Sequence, residues 1–194
     1  ASKPFLQAQG AQRYEKTIEL QANRGRILDR HGVVLASSLP ARSIWAYADR
    51  VDLSDPRLMD LARLLGMKPQ DLQAKLTHGD RSFVFLKRQV DLDTAERIAA
   101  LRIHGIGQDS EYKRNYPEGE IAAHLVGFTD LAHVGQEGLE LAFQSTLAGK
   151  PGSRRVVRDG SGRIISDIDQ IKEPQDGRDL KLTIDSRIQY QAFQ

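Results

Sequence analysis

The stretch from Arg24 to Ala36 constrains the fold most, because it shows the signals of two strands joined by a tight turn. Asp29 is typical of the first position of a type I turn, where its carboxylate accepts a nearby backbone N–H. Gly32 suits the end of that turn, where a positive φ costs little. The apolar residues 27–28 and 33–35 are typical of strands. Three arginines beside one aspartate are more charge than a hairpin needs, so we expect some of them to pair elsewhere in the chain.

Length and composition indicate a globular protein. The 194 residues fit one large domain or two small ones, and 40% hydrophobic with 28% charged residues argues against disorder. A net charge of +2 gives no support for nucleic-acid binding, which usually needs a concentrated basic face. The absence of cysteine excludes disulfides and thiolate metal sites. No run approaches the ~20 apolar residues that cross a bilayer.

The spacing of apolar residues predicts an α+β fold. Strands are predicted where the period is two: 14–22, 42–48, 82–90, 106–114, 154–158, 163–168 and 180–184. Helices are predicted where it is near 3.6: from Pro56 to a stop at Gly66, from Pro69, from Asp93 with a capping box to Glu96, and over 135–147. Residues 121–126 are predicted to form a short helix or a turn. Apolar residues on both faces around Trp45 predict a strand covered on both sides. The block 52–104 is predicted to be a small α/β lobe inserted between strands of the first unit.

The two ends of the chain differ from its middle. Residues 1–13 are polar and predict an exposed lead-in. Residues 173–178 predict a polar linker, and Asp185 is placed to cap a helix that the end at Gln194 would cut short. We therefore expect the chain to derive from a longer parent protein.

We find no motif for catalysis, for a cofactor or for a metal. The five histidines show no metal-ligand spacing. Gly160 and Gly162 lie in a predicted hairpin turn rather than between a strand and a helix, so they make no dinucleotide or phosphate loop. No Gly-x-Ser-x-Gly elbow is present. We therefore predict no catalytic, cofactor-binding or metal-binding residue in this chain.

One pattern resembles a nucleophile motif. Ser110 and Lys113 fit Ser-x-x-Lys, in which the lysine helps to deprotonate the serine when both lie on one helix face. Here the segment is predicted to be extended, so residues three apart point to opposite faces. The companion Ser-x-Asn and Lys-Thr-Gly elements are absent downstream. We interpret this pattern as a chance match.

Four stretches taken in order resemble one family, the class B penicillin-binding proteins, in their N-terminal non-catalytic module, also called the dimerisation or pedestal domain. The stretches are 24–36, 114–128, 135–152 and 180–189. The likeness spans about residues 6–194. The order is specific, whereas one stretch alone would be weak. Residues 43–46 (Ser-Ile-Trp-Ala) resemble the division-specific, septal branch more than the elongation branch.

The resemblance implies an elongated pedestal of β-hairpins and antiparallel strands, spanning 14–178 with the inserted lobe at about 52–104. Residues 179–194 would begin a D,D-transpeptidase domain that binds β-lactams. The parent would be a single-pass protein of the bacterial inner membrane, with the pedestal in the periplasm. The implied partners are the lipid II-polymerising glycosyltransferase of the shape, elongation, division and sporulation class and division regulators, with a homodimer left open and no nucleic acid.

The resemblance also implies a set of residues that hold the pedestal together, none of them catalytic. They are Arg24, Gly25, Asp29, Arg30, Gly32, Arg114, Tyr116, Pro117, His124, Gly127, Glu137, Gly138 and Glu140. From their chemistry we predict that Arg24 or Arg30 pairs with Glu137, which would join the first hairpin to the base of the 135–147 helix.

Three alternatives remain open from the sequence. The first is a self-contained serine enzyme that uses Ser110 and Lys113. The second is a soluble binding module for glycan or nucleic acid, although no basic stripe with aromatic residues supports it. The third is the same pedestal module from an elongation-specific homologue.

Overall fold

The computed structural model describes residues 13–78, 83–159, 164–186 and 188. The fold mixes α-helices with largely antiparallel strands, as predicted. The strands in the described residues are β1 Tyr14–Leu20, β2 Ile27–Leu28, β3 Val34–Tyr47, β4 Phe83–Val90, β5 Ile106–Asn115, β6 Gly152–Arg158, β7 Ile164–Lys172 and β8 Leu180–Lys181. The helices there are α1 Arg57–Leu65, α2 Pro69–Thr77, α3 Leu92–Ala100, α4 Glu120–Val126, α5 Gly138–Ala142 and α6 Gln144–Leu147. None of these helices has the length and apolar character needed to span a membrane.

The chain runs alternately through two compact units. Unit one takes its described residues from Ala1–Ile18, Pro40–Glu111 and Arg154–Gln170. Unit two takes them from Glu19–Leu39, Tyr112–Ser153 and Ile171–Gln194.

Unit one has its core between helices and a pair of strands. The second half of β3 pairs antiparallel with β4, so that Arg42 lies opposite Val90 and Tyr47 opposite Phe83. Helices α1, α2 and α3 pack their apolar faces on this pair, since period-3.6 spacing puts their leucines and alanines on one side. The core comprises Ile44, Ala46, Val51, Leu61, Ala62, Leu65, Leu72, Leu76, Leu86, Val90, Ala95, Ile98 and Ile103.

The opposite face of β3 in unit one is covered as well, which confirms the prediction made from the residues around Trp45. Trp45 is 2% exposed. Its ring lies 5.3 Å from that of Tyr47 and 5.6 Å from that of Phe83, and Phe85 continues the series at 5.2 Å from Phe83. Each ring has a cation over its face: Arg158 over Trp45, Arg50 over Tyr47, Lys16 over Phe83 and Arg88 over Phe85.

Unit two is built on the first hairpin. Strand β2 pairs antiparallel with the first half of β3, with Ile27 opposite Ala36, and parallel with β8, with Ile27 opposite Leu180. The turn between β2 and β3 has the predicted chemistry, because Gly32 has a φ of 81° and the Asp29 carboxylate accepts backbone N–H bonds. A small core beneath the hairpin consists of Ile27, Leu35, Ala36, Ala122, Val126 and Leu147.

The single helix predicted over 135–147 is wrong. The chain is extended as far as Glu137, because Gly135 bridges to Thr129 and Glu137 has β-region dihedrals. The helix begins only at Gly138, and it breaks at Phe143, whose φ of −111° and ψ of 26° separate α5 from α6. The shift of the helix start by three residues changes which glutamate faces inward.

Other boundaries also differ. Helix α3 begins at Leu92 with Asp91 as N-cap residue and no side-chain cap bond, so the predicted capping box from Asp93 to Glu96 is wrong. Strand β8 ends at Lys181 rather than 184. The predicted lead-in up to residue 12, Ser82, the turn at 160–162 and the chain after Ile188 lie outside the described residues.

Candidate functional site

The centre of unit two is a single carboxylate shared by two arginines. Glu140 on α5 is fully buried at 0% exposure. Its Oε2 accepts a hydrogen bond from Arg24 Nε at 2.7 Å, and its Oε1 accepts one from Arg114 Nε at 2.7 Å. Tyr116 donates its hydroxyl to the same Oε1 at 3.3 Å. We call Arg24, Arg114, Glu140 and Tyr116 the Glu140 cluster.

Arg24 uses its remaining donors on the chain around α5 and α6. Its Nη1 donates to the carbonyl oxygen of His133 at 3.0 Å and to Gln144 Oε1 at 2.7 Å. Its Nη2 donates to the backbone carbonyl of Glu140 at 2.9 Å. Because the guanidinium is held at each edge, the segment before β2 is fixed against α5 in one orientation.

Arg114 at the end of β5 reaches the first hairpin. Its Nη2 donates to the carbonyl oxygen of Gly25 at 2.8 Å, and its Nη1 donates to Ser38 Oγ at 3.0 Å. The second buried cation therefore joins β5, β3 and the approach to β2 around the same carboxylate. Removing Glu140 would leave two buried guanidinium groups without their counter-ion, which is strongly destabilising.

Tyr116 serves the cluster as a neutral donor. Burial and then the nearby Glu140 carboxylate raise the pKa of Tyr116 above its ordinary value of 10.0. The phenol therefore keeps its proton at physiological pH and donates a hydrogen bond to Glu140. This arrangement orients the side chains of the cluster around one carboxylate.

Asp29, at the turn of the hairpin, is a second buried carboxylate that joins separate parts of unit two. Its Oδ1 accepts backbone N–H bonds from His31 at 2.7 Å and Val33 at 2.8 Å. Its Oδ2 accepts bonds from Ser186, from Oγ at 2.9 Å and from the backbone N–H at 3.2 Å. The carboxylate thus joins the first hairpin to the chain after β8.

Hydrogen bonding sets the ionisation of Asp29. Burial, the largest single influence, raises the pKa of the carboxyl, but the bonds from Val33, Ser186 and His31 together outweigh it and lower the pKa from 3.8 to about 2. The charged form is therefore favoured in the folded chain.

The lowered pKa of Asp29 predicts a loss of stability in acid. Asp29 contributes stability above its ordinary pKa of 3.8, and this contribution is lost as the pH falls through the folded value of about 2. We expect the urea concentration at the midpoint of unfolding to decrease as the pH is lowered from 4 to 2. The Asp29→Asn variant should show a smaller decrease over the same range. Equal pH slopes for the two proteins would contradict the assignment.

Another hairpin arginine pairs at the surface. Arg26 Nη2 lies 2.8 Å from Asp179 Oδ2, and Asp179 Oδ1 accepts the backbone N–H of Arg26 at 2.7 Å. The expectation that the arginines of this stretch pair elsewhere in the chain is therefore met by Arg24 and Arg26.

The predicted pairing of Arg24 or Arg30 with Glu137 is wrong. Arg24 pairs with Glu140, while Arg30 and Glu137 are exposed. Glu137 precedes the helix in an extended conformation, whereas Glu140 lies inside α5 and turns inward.

The structure distributes the other predicted residues around this cluster. Gly127 and Gly138 are in close backbone contact, because a Cβ on Gly127 would lie 2.0 Å from the carbonyl oxygen of Glu137. Pro117 and His124 are exposed. Sequence reasoning missed the hydrogen-bonding partners Ser38, Gln144 and Ser186, since isolated serines and glutamines give no pattern.

The Ser110–Lys113 pattern lies on strand β5, as predicted. Both side chains are exposed, and Arg42 donates a hydrogen bond to the Ser110 hydroxyl. Three residues apart on a strand, the two side chains point to opposite faces. This geometry does not let Lys113 deprotonate Ser110.

Comparison with known proteins identifies the family. The model of the penicillin-binding protein dimerisation domain matches residues 19–182. The probable peptidoglycan D,D-transpeptidase PenA of Neisseria gonorrhoeae is 40% identical, over 98% of this chain and 33% of its own length. The peptidoglycan D,D-transpeptidase FtsI of Escherichia coli K12 is 37% identical, over 97% of this chain and 33% of its own length. The chain thus spans about a third of these relatives.

A solved structure shares the fold. The complex between penicillin-binding protein PBP2 and MreC from Helicobacter pylori matches with a TM-score of 0.65 and 19% identity, over 92% of this chain and 38% of that chain. The resemblance inferred from the four stretches is confirmed, and the matched residues include the whole Glu140 cluster. The chain belongs to the penicillin-binding protein dimerisation domain family.

Proposed function

We propose that this chain is the periplasmic, non-catalytic pedestal of a class B penicillin-binding protein that acts in septal cell-wall synthesis. Its role is to position a peptidoglycan D,D-transpeptidase domain and to contact partners. The observation that carries the proposal is a pair of buried carboxylates in unit two. Glu140 joins the approach to the first hairpin to α5 and β5, and Asp29 joins that hairpin to the chain after β8. Buried, fully hydrogen-bonded carboxylates of this kind fix the relative positions of the elements that they join, which is a structural role.

The proposed organisation follows the order of the motifs. Residues 1–13 lead in from a single membrane anchor of the parent, residues 14–178 form the pedestal with its lobe at about 52–104, and residues 179–194 begin the transpeptidase domain. The names of PenA and FtsI as D,D-transpeptidases, each about three times the length of this chain, support a catalytic domain in the parent.

The proposed partners are a lipid II-polymerising glycosyltransferase of the shape, elongation, division and sporulation class and division regulators. Support for partner binding by this fold comes from the complex of PBP2 with MreC. Support for the septal branch comes from Ser43–Ala46, which resemble the division-specific homologues.

A domain exchange in the full-length parent tests this role. We expect that replacing residues 19–182 with the same region of the cell's elongation-specific homologue leaves acylation by a fluorescent penicillin intact but stops septation, so that cells filament. The matched control receives the same region from a septal relative and divides. Normal division by the elongation exchange, or rounded cells instead of filaments, would refute the septal assignment.

The 194-residue chain itself provides the test against an enzyme. We expect no covalent label after incubation with fluorescent penicillin, because Lys113 points to the opposite face of β5 from Ser110 and does not act as its base. A label that Ser110→Ala abolishes would establish the serine enzyme instead.

A further inference from the structure

Unit one contains a cavity that the proposed function does not use. Its volume is about 480 Å³, within the range of small-molecule sites. The lining residues come from β3, the end of α3, β5, β6 and β7, all within unit one. The wall is largely apolar, with Trp45, Ile103 and Ile106, and it includes the charged residues Arg102, Asp109 and Arg158.

Arg158 is the unusual member of this wall. Its side chain is 1% exposed, and the guanidinium lies over the ring of Trp45 at 5.3 Å. Its Nη2 is 3.2 Å from Asp109 Oδ1. Nε and Nη1 have no hydrogen-bond partner among the described residues, which leaves three N–H donors unused. A buried cation with unused donors is costly unless another group completes its bonding.

The charge around the cavity favours an anion. Two arginines and one aspartate line it, so the formal charge is 2 − 1 = +1 among the described lining residues. Asp109 contacts Arg158 through one long bond, and about a third of the Asp109 side chain is exposed. A single carboxylate would neutralise the formal charge of the described lining and could pair with Arg158.

The apolar side of the cavity depends on a close approach of ring and backbone. A Cβ on Gly107 would lie 2.3 Å from the indole of Trp45, so only glycine lets the ring lie against β5 at this point. The indole N–H of Trp45 likewise has no acceptor in the described part of the chain. The ring and the neighbouring isoleucines form a surface that suits an aliphatic body better than water alone.

We propose that this cavity binds a carboxylate attached to a small apolar group. The carboxylate pairs with the guanidinium of Arg158, and the apolar body packs on Trp45, Ile103 and Ile106. The carboxylate comes from a free carboxylic acid or from the C-terminus of a peptide. The assignment gives unit one a ligand and goes beyond the role of a pedestal.

Trp45 reports on its own site, because it is the one tryptophan in the sequence. We titrate the 194-residue chain with hexanoate and with N-acetyl-leucyl-leucine, and use hexanamide and N-acetyl-leucyl-leucinamide as neutral controls. We expect a saturable change in Trp45 emission with a Kd below about 1 mM for an acid, and binding at least about tenfold weaker for its amide. Tighter binding of hexanoate supports a free acid as ligand, and tighter binding of the dipeptide supports a peptide C-terminus. No saturable change with either acid, or equal binding of acid and amide, overturns the proposal.

Four variants locate the carboxylate. Arg158→Met should weaken binding at least about tenfold, whereas Asp109→Asn should strengthen it, because the competing carboxylate of the chain is gone. Ala99→Phe, at an exposed position of the lining, should block the cavity. Arg155→Met is the matched control on the same strand, where Arg155 pairs with Glu15 outside the cavity, and should bind as the wild type does.

These variants keep the proposal falsifiable if Arg158→Met does not fold. Weaker binding by Asp109→Asn, or unchanged binding by Ala99→Phe, overturns it. Unchanged binding by a folded Arg158→Met overturns it as well. Near-UV circular dichroism checks that each variant is folded.

Discussion

We expect the replacement of Glu140 by glutamine to lower the free energy of unfolding by about 3–5 kcal/mol, because it leaves Arg24 and Arg114 buried without a counter-ion. Glutamine keeps the volume of the side chain, so the loss reports on charge and hydrogen bonding rather than on a cavity. For a chain of this length the loss corresponds to a fall in Tm of about 10 °C. Thermal and urea unfolding followed by circular dichroism measure it.

The matched control is Glu137→Gln, on the same segment and with the same change of charge. Glu137 is exposed, so its replacement should change stability by no more than about 0.5 kcal/mol. Equal effects of the two substitutions would show that the Glu140 cluster does not hold unit two together.

Double-mutant cycles separate the pairing from general damage. Arg24 with Glu140 should show a coupling of at least about 1 kcal/mol, since the two side chains share a buried bond of 2.7 Å. Arg24 with Glu137 should be additive. A coupling confined to Glu137 would restore the pairing that the sequence predicted.

The sequence identified the local features of this fold well. The turn at Asp29 and Gly32 depends on hydrogen bonds between residues two and four apart, so one short stretch of sequence contains all the residues that form it. The end of α1 is equally local, because Gly66 adopts the left-handed conformation there, with a φ of 67°. Such features need no knowledge of the rest of the chain.

The partner of Arg24 could not be found in this way. Glu137 and Glu140 are three residues apart, which puts both on one face of a regular helix. The choice between them depends on where the helix begins, and that is fixed by the bridge of Gly135 to Thr129. This bridge is a tertiary contact, which leaves Glu137 extended and turns Glu140 inward. The cavity beside Arg158 is harder still to predict, since its walls come from five separate elements.

The contact of Gly25 with the chain before β8 should also be sensitive to substitution. A Cβ on Gly25 would lie 1.9 Å from the carbonyl oxygen of Arg178, where no atom can be accommodated. The backbone of Gly25 is also held on both sides, since its N–H donates to Leu147 and its carbonyl accepts from Arg114, each at 2.8 Å. Neither partner lets the glycine move away from Arg178.

We therefore expect Gly25→Ala to displace residues 178–184 from the hairpin. The bonds from Leu180 N–H to the Arg26 carbonyl and from Leu182 N–H to the Leu28 carbonyl, both 2.8 Å, would then open. Overpacking of this kind costs about 2–3 kcal/mol, so hydrogen exchange at these two amides should accelerate by about 100-fold. The amides of α1 in unit one serve as the internal reference.

Gly32→Asn is the matched control for Gly25→Ala. Gly32 has a positive φ of 81° but open space where a Cβ would lie, and asparagine tolerates that conformation. Exchange at Leu180 and Leu182 should stay within a few-fold of the wild type. If Gly25→Ala also left these amides protected, the backbone contact between Gly25 and Arg178 would have no part in holding the hairpin against the chain at β8.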